Sequence, residues 1–192
     1  MTKILILDNY DSFTYNLVHY VKEHNGYQVD VYRNDKISMD EVDNYDGILL
    51  SPGPGIPSEA GLLLSIIERY SSTKRIFGVC LGQQAIGEVF GARLVNLSKV
   101  FHGVATPVNI LQPRHYLFED LPSQIEAGRY HSWAVDQENF PDILQINALD
   151  ETGQIMALSH KTFDVCGVQF HPESILTPEG KKIIHNWLKK FH

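Results

Sequence analysis

The stretch RIFGVCLGQQ, residues 75–84, begins as an apolar, strand-like run and continues as a helix-like pattern after Cys80. Small residues at a strand-to-helix corner permit a sharp turn that exposes a nucleophile above the carboxyl edge of a sheet. The start of the helix adds partial positive charge and free N–H groups, which favour the thiolate form of a cysteine. Because cysteine is also common as a plain core residue, this stretch alone leaves catalysis and structure about equally open.

Strand-like and helix-like patterns alternate along most of the chain. Strand-like runs at residues 3–7, 28–33, 47–50 and 75–79 are separated by stretches whose apolar residues recur at helical spacing. From residue 92 to about residue 158 the pattern changes to short strands and turns. The sequence therefore predicts a single α/β domain over residues 1–192, with a mostly parallel central sheet flanked by helices and a small added antiparallel portion.

Two helix starts are predicted from capping residues. Ser12 is expected to cap a first helix that carries Phe13 on its apolar side. Thr177 is expected to cap a last helix that begins at Pro178 and has an apolar stripe over residues 183–191. Both predictions rest on hydroxyl groups that accept hydrogen bonds from the free N–H groups of a first helical turn.

A base for the thiol is found in VQFHPE, residues 168–173. In an extended backbone, His171 and Glu173 project to the same side, and Pro172 fixes one backbone angle between them. A carboxylate bonded to one imidazole nitrogen sets the tautomer and leaves the other nitrogen free to exchange a proton with sulfur. Such a tripeptide is often only a turn, but together with Cys80 it indicates a nucleophile, a base and an orienting carboxylate.

Donors for an oxyanion are expected in the loop SPGPG, residues 51–55, directly after a strand-like run. The N–H of a residue without Cβ can approach a ligand closely, so Gly53 is predicted to act together with the N–H of Leu81. Gln84 lies one helical turn after Cys80, where its amide could hold a polar group of the compound that Cys80 attacks. The loop matches no phosphate-binding pattern, and a plain turn is the alternative.

Five stretches, in order, resemble the motifs of one family. LDNYDSFTYNL, SPGPGIPSEAG, GVCLGQQ, RYHSW and VQFHPES are similar to the class I (triad) glutamine amidotransferases, and the likeness covers nearly the whole chain. Within the family, the chain is most similar to the amidotransferase components of anthranilate synthase and para-aminobenzoate (aminodeoxychorismate) synthase. The resemblance implies a flavodoxin-like fold, with Cys80 as the nucleophile, His171 as the acid-base group and Glu173 as its partner.

The resemblance also implies a glutamine-binding pocket. The residues that would hold glutamine are Gly53, Pro54, Gly55, Gln84, Ser132 and Trp133. Three positions depart from the family pattern: Gln83 stands where histidine is common, Trp133 where leucine is usual, and Val104 where lysine often follows His-Gly. Because the nucleophile and Gln84 are retained, Gln83 is expected to affect only local packing. The change at Trp133 is expected to be tolerated because that contact is mainly with the backbone, and Val104 removes any role of the lysine at the partner surface.

The reaction implied by the resemblance is the hydrolysis of L-glutamine to glutamate and ammonia through a γ-glutamyl thioester on Cys80. A chain of 192 residues leaves little room for a second active site, so a separate subunit is expected to use the ammonia. The resemblance implies that this subunit is a chorismate-binding synthase. No cofactor is expected in this chain, and Mg²⁺ is expected in the partner. The alternatives are a stand-alone hydrolase of amides or γ-glutamyl compounds and a non-catalytic regulatory subunit.

Composition restricts the partners and the compartment of the chain. The formal net charge is −7 without a basic run, which argues against nucleic acid or an anionic membrane as a partner. No apolar stretch approaches the length of a membrane span, and no signal-peptide pattern precedes the first strand. The two cysteines, Cys80 and Cys166, predict a reducing, cytoplasmic environment, with Cys166 in the core. The nine histidines show no metal-binding spacing, so no metal site is predicted.

Overall fold

Eleven strands and five α-helices are distributed along residues 1–192 of the computed structural model. The strands are β1 (Thr2–Asp8), β2 (Tyr27–Arg33), β3 (Gly47–Leu50), β4 (Arg75–Val79), β5 (Leu94–Asn96), β6 (Val104–Ile110), β7 (Gln124–Arg129), β8 (Trp133–Val135), β9 (Leu144–Asp150), β10 (Ile155–His160) and β11 (Val165–Val168). The helices are α1 (Thr14–Lys22), α2 (Met39–Val42), α3 (Leu63–Tyr70), α4 (Leu81–Val89) and α5 (Gly180–Leu188). No helix combines the length and the apolar character that a bilayer crossing needs.

Nine of the strands form one sheet in the order β2-β1-β3-β4-β11-β10-β9-β6-β7. The five strands from β2 to β11 in this order pair in parallel. The remaining four continue the same sheet with antiparallel pairing, while β5 and β8 form a separate antiparallel pair. The predicted α/β fold with parallel and antiparallel portions is confirmed, and the antiparallel strands of the main sheet directly extend the parallel ones.

Helices cover both faces of the sheet because successive strand residues point to opposite sides. Ile4 of β1 joins a core cluster with the apolar faces of α1 and α5, whereas Leu5 joins a second cluster with α3 and α4. Strands buried on both faces read as continuous apolar runs, which is why β3 and β4 were recognisable in the sequence. The turn that carries Cys80 lies at the carboxyl end of β4, between that strand and α4.

The predicted start of the first helix is wrong. Helix α1 begins at Thr14, and neither Ser12 nor any other side chain caps it. Phe13 precedes the helix and is 37% exposed, so it does not contribute to the core. The carboxylate of Asp8 accepts hydrogen bonds from the Asp11 N–H and the Thr14 hydroxyl, and these contacts set the turn into the helix.

The predicted start of the last helix is also wrong. Helix α5 begins at Gly180 rather than Pro178, and no side chain caps it. The Thr177 hydroxyl instead donates to the His171 carbonyl at 2.7 Å and accepts from the Gly128 N–H at 2.9 Å. The apolar stripe of this helix is buried as predicted up to residue 188, beyond which the chain continues as a short 3₁₀ helix.

Candidate active site

Cys80 lies at the corner between β4 and α4 with φ 52° and ψ −101°. Non-glycine residues rarely adopt this conformation, which is strained and is characteristic of functional sites. Its N–H donates to the Val168 carbonyl of β11 at 2.8 Å, and its carbonyl accepts from the Gln84 N–H at 3.0 Å. The side chain lines a cavity of about 230 Å³. This is the geometry expected of a nucleophile elbow.

His171 and Glu173 form a close pair in the turn that follows β11. Imidazole Nδ1 lies 2.5 Å from carboxylate Oε1, and both side chains are almost completely buried. Burial lowers the pKa of His171, but interactions with Cys80 and Glu173 outweigh it and raise that pKa to about 11. The second ring nitrogen, Nε2, is buried without a hydrogen-bond partner. The ring therefore keeps its proton at neutral pH, and Nε2 is the nitrogen available for exchange with the thiol.

Helix α5 holds the turn that carries this pair. The His171 N–H donates to the Gly128 carbonyl at 2.9 Å, in addition to the bond between the His171 carbonyl and Thr177. A Cβ at Gly180 would overlap the Pro172 carbonyl, so the first residue of the helix has to be glycine for the two segments to approach this closely. The imidazole is thus positioned by backbone contacts as well as by its carboxylate partner.

The residues that carry the two predicted oxyanion donors pack against each other. A Cβ at Gly53 would lie 2.9 Å from Cδ2 of Leu81 and 2.6 Å from Cβ of Asn9. The Gly53 N–H has no acceptor within the chain, and Leu81, as the first residue of α4, has no intrahelical acceptor. Asn9 holds the loop by donating from its N–H to the hydroxyl of Ser51 and from its amide to the carbonyl of Ser51, both at 2.8 Å.

The cavity beside Cys80 contains every residue that the sequence assigned to glutamine binding. These residues are Gly53, Pro54, Gly55, Gln84, Ser132 and Trp133. His171 does not line the cavity, but its ring centroid is 4.8 Å from that of Tyr130, which does. A larger, more open cavity of about 570 Å³ lies between residues 114–120 and Lys190, and it contains none of the predicted site residues.

Gln169 belongs to the site, although no role was predicted for it from the sequence. Its amide donates to Cys80 Sγ at 3.5 Å, and its carbonyl oxygen accepts from the Gln84 amide at 3.2 Å. The Gln84 amide also donates to the Trp133 carbonyl at 2.9 Å, so its NH₂ group is engaged within the protein and its oxygen is left for a ligand. The position of Gln169, two residues before His171 in an extended run, was the available signal.

The second cysteine is buried, and the histidines form no metal-binding group with other side chains. Both cysteines are free, and Cys166 lies in the core as predicted, where burial raises the pKa of its thiol. No group of three or more His, Cys, Asp and Glu side chains is arranged to hold a metal ion.

Residues 5–191 match the model of the family described as glutamine amidotransferase class-I, and the chain belongs to this family. It is 47% identical over 192 residues to anthranilate synthase beta subunit 1, chloroplastic, of Oryza sativa subsp. japonica, covering 97% of this chain and 66% of that protein. It is 42% identical over 190 residues to aminodeoxychorismate/anthranilate synthase component 2 of Bacillus subtilis, covering 98% of this chain and 96% of that one.

A solved structure supports the same fold. The crystal structure of a glutamine amidotransferase from Thermotoga maritima superimposes with a TM-score of 0.76 at 15% identity, covering 99% of this chain and 82% of that chain. The resemblance inferred from the five motifs is therefore confirmed by the family match, by the relatives and by the fold.

Proposed function

We propose that this chain is the subunit that hydrolyses L-glutamine for a chorismate-using synthase and supplies it with ammonia. The observation that carries the proposal is the convergence of three features at one sheet edge: the strained Cys80 elbow, the buried His171–Glu173 pair and the cavity with free backbone donors. A thiol, a charged imidazole and amide donors are the set that acyl transfer through a cysteine requires.

The chemistry follows from this arrangement. The Cys80 thiolate attacks the side-chain carbonyl carbon of glutamine, and the N–H groups of Gly53 and Leu81 bind the oxyanion. The His171 imidazolium gives its Nε2 proton to the leaving nitrogen, so ammonia departs and a γ-glutamyl thioester remains. The neutral imidazole then takes a proton from water, the hydroxide attacks the thioester, and glutamate leaves as the thiolate is restored. The scheme requires no metal or organic cofactor in this chain.

A partner subunit is supported by the surface around the cavity. Val100, which lines the cavity, is 67% exposed, and Ile175, which follows the Ser174 that hydrogen-bonds to Tyr130 at the cavity wall, is 95% exposed. A partner that covers these two side chains would remove apolar surface from water, which favours association. The names of the relatives, which are components of anthranilate and aminodeoxychorismate synthases, support a chorismate-binding synthase subunit as the partner, and we assign the expected Mg²⁺ to that subunit. We place the protein in the cytoplasm, where its thiols stay reduced.

The test is to measure glutamate release from glutamine by the purified chain, alone and with a chorismate-binding synthase subunit. We expect low activity alone, a marked increase with the partner and none for Cys80→Ala, whereas Cys166→Ala should remain active. Turnover that is equal with and without the partner would favour the stand-alone hydrolase. Absence of turnover under both conditions would favour the regulatory subunit.

A further inference from the structure

We infer that Arg129 is a positioning residue for glutamine, acting through His131 on the wall of the cavity that contains Cys80. The inference rests on the proposed function, because it assumes that glutamine binds in this cavity. Arg129 itself does not line the cavity. It is carried by a continuous series of hydrogen bonds from a buried ion pair to the nucleophile.

The Arg129 side chain, at the end of β7, is only 1% exposed. Its Nη1 donates to Asp150 Oδ2 at 2.7 Å, and its Nη2 donates to Gln154 Oε1 at 2.6 Å. The guanidinium carbon also lies 3.5 Å from the centroid of the Phe101 ring. A buried charge pair of this kind is a weak contributor to stability, because the desolvation of two ions offsets their attraction. Nη1 also donates to the Thr106 hydroxyl at 3.5 Å, and Nε is the nitrogen directed towards the site.

Arg129 determines which nitrogen of His131 carries the proton. Its Nε–H donates to His131 Nε2 at 3.1 Å, and because a guanidinium can only donate, Nε2 must be the acceptor. The proton of the neutral ring is therefore on Nδ1, which lies 2.8 Å from the Trp133 carbonyl and donates to it. Burial and then the charge of Arg129 lower the pKa of His131 to about 4, so the ring stays neutral at physiological pH.

The Trp133 carbonyl transmits this constraint to the nucleophile. It accepts the His131 N–H and also the Gln84 amide, which is 2.9 Å away. The Gln84 amide contacts Gln169, whose own amide reaches Cys80 Sγ. Arg129 thus fixes the imidazole, the imidazole fixes the carbonyl, and the carbonyl fixes one of the side chains predicted to bind glutamine.

Loss of the Arg129 Nε–H would free the His131 ring to change tautomer or rotate. In the other tautomer, Nδ1 and the Trp133 carbonyl would both be acceptors, and the wall of the cavity would move away. A displacement of about 1 Å in a substrate-positioning group can lower reactivity by about 100-fold. The rate at which Cys80 attacks a glutamine-shaped compound should therefore fall more than the intrinsic reactivity of its thiol.

The experiment compares two alkylating probes of Cys80 on the full chain, followed by mass spectrometry of the modified peptide. A diazoketone analogue of glutamine must occupy the cavity, whereas iodoacetamide needs only access to the thiol. In Arg129→Lys, which keeps a positive charge beside Asp150 but lacks the Nε–H, we expect labelling by the analogue to fall at least ~10-fold and labelling by iodoacetamide to change less than ~3-fold. The control, Gln154→Leu, removes one bond to Arg129 but leaves the link to His131, and it should label normally with both probes.

Two further variants protect the test against misfolding. His131→Phe leaves the Arg129–Asp150 pair intact, keeps a ring against Phe101 and removes the donor to the Trp133 carbonyl, so it should lose labelling by the analogue to the same extent. His131→Asn, combined with Arg129→Lys, provides an amide donor that needs no tautomer control, and it should restore most of the labelling.

Several results would overturn the inference. Native rates of labelling by the analogue in either Arg129→Lys or His131→Phe would do so, as would an equal loss with the two probes. If the unmodified chain, in its complex with the synthase subunit, reacted with iodoacetamide but not with the glutamine analogue, the proposed function itself would fail, and the inference with it.

Discussion

Strands β4 and β11 lie side by side, yet their two ends differ in how completely their polar groups are satisfied. At the amino ends, Arg75 forms an ion pair with Asp164. The same carboxylate accepts a hydrogen bond from the Tyr116 hydroxyl at 2.9 Å, and that hydroxyl is 3.5 Å from Cys166 Sγ. The side chains of Arg75, Asp164 and Tyr116 are partly exposed, and each of their polar groups has a partner.

The carboxyl ends of the same strands are different. Cys80 there has a strained backbone, and four of the seven buried side-chain atoms without a hydrogen-bond partner belong to Gln83, His171 and Glu173. Strain and unpaired polar groups cost free energy and persist only where the surrounding structure maintains them. The comparison indicates that the active edge is the less stable part of the sheet, and the following experiments test this difference.

The largest expected difference between the two ends is in the rate at which their cysteines are alkylated. In the native chain, iodoacetamide should modify Cys80 at least ~1000-fold faster than Cys166, because a fully buried thiol reacts only when the structure opens. Mass spectrometry of the peptides containing each cysteine gives both rates. In denaturant the rates should become similar, and similar rates in the native chain would contradict the comparison.

Glu173→Gln should lower kcat/KM for glutamine by about 100-fold or more, because the imidazole loses the carboxylate that orients it and stabilises its charge. Glutamate release by the complex with the synthase subunit measures the effect. Glu126→Gln, at an exposed position of β7, makes the same change in charge and should leave the activity unchanged.

The same variant makes a prediction about pH and stability. Because the pKa of His171 is raised from 6.5 to about 11, the group contributes stability that is complete below about pH 6.5 and is lost as pH rises towards about 11. Urea unfolding between about pH 7 and 10 should therefore show a steeper loss of stability for the native chain than for Glu173→Gln. Parallel curves for the two proteins would mean that Glu173 does not raise the pKa of His171.

Gln83→Met should stabilise the chain by about 1–3 kcal/mol, since it removes two buried amide atoms without partners at nearly constant volume. The matched change at the next residue, Gln84→Met, should destabilise the chain because that amide is bonded to Trp133 and Gln169. Urea unfolding of both variants measures the contrast. A loss of stability in Gln83→Met would show that its amide is satisfied after all.

The smallest effect is expected at the satisfied end of the strands. Tyr116→Phe removes the hydroxyl that bonds Asp164 and should lower the free energy of unfolding by about 1 kcal/mol. Glutamine hydrolysis should stay within about 2-fold of the native value, because the residue lies away from the cavity. A large loss of activity would show that the two ends of the sheet are coupled.

Local patterns were sufficient to predict the strands that carry the site. The bounds of β3 and β4 agree with the sequence prediction, because both strands are buried on two faces and end at glycine, proline or the elbow. The helix caps could not be predicted in the same way. Ser12 makes no capping bond, because Asp8 sets the turn through the Asp11 N–H and the Thr14 hydroxyl. The Thr177 hydroxyl bonds to Gly128 and His171, which lie outside the helix.

Some residues of the candidate site could likewise be predicted from the sequence, and others could not. Cys80, His171 and Glu173 were recognisable because each lies in a short, distinctive motif. Gln169 lies in the same motif as His171, but its role could not be predicted, because its two side-chain partners, Cys80 and Gln84, are 89 and 85 positions away in the sequence. The link between Arg129 and the cavity likewise depends on contacts that exist only after the sheet has formed.

The contact between helix α5 and the Pro172 carbonyl also bears on the order in which activity arises during translation. Residues 180–188 follow every strand and every other α-helix, so the turn that holds His171 gains its support last. A nascent chain therefore contains the thiol, the imidazole and the carboxylate before it contains the helix that holds the imidazole in place. We expect glutamine hydrolysis to begin only after residues 180–188 have packed against the turn.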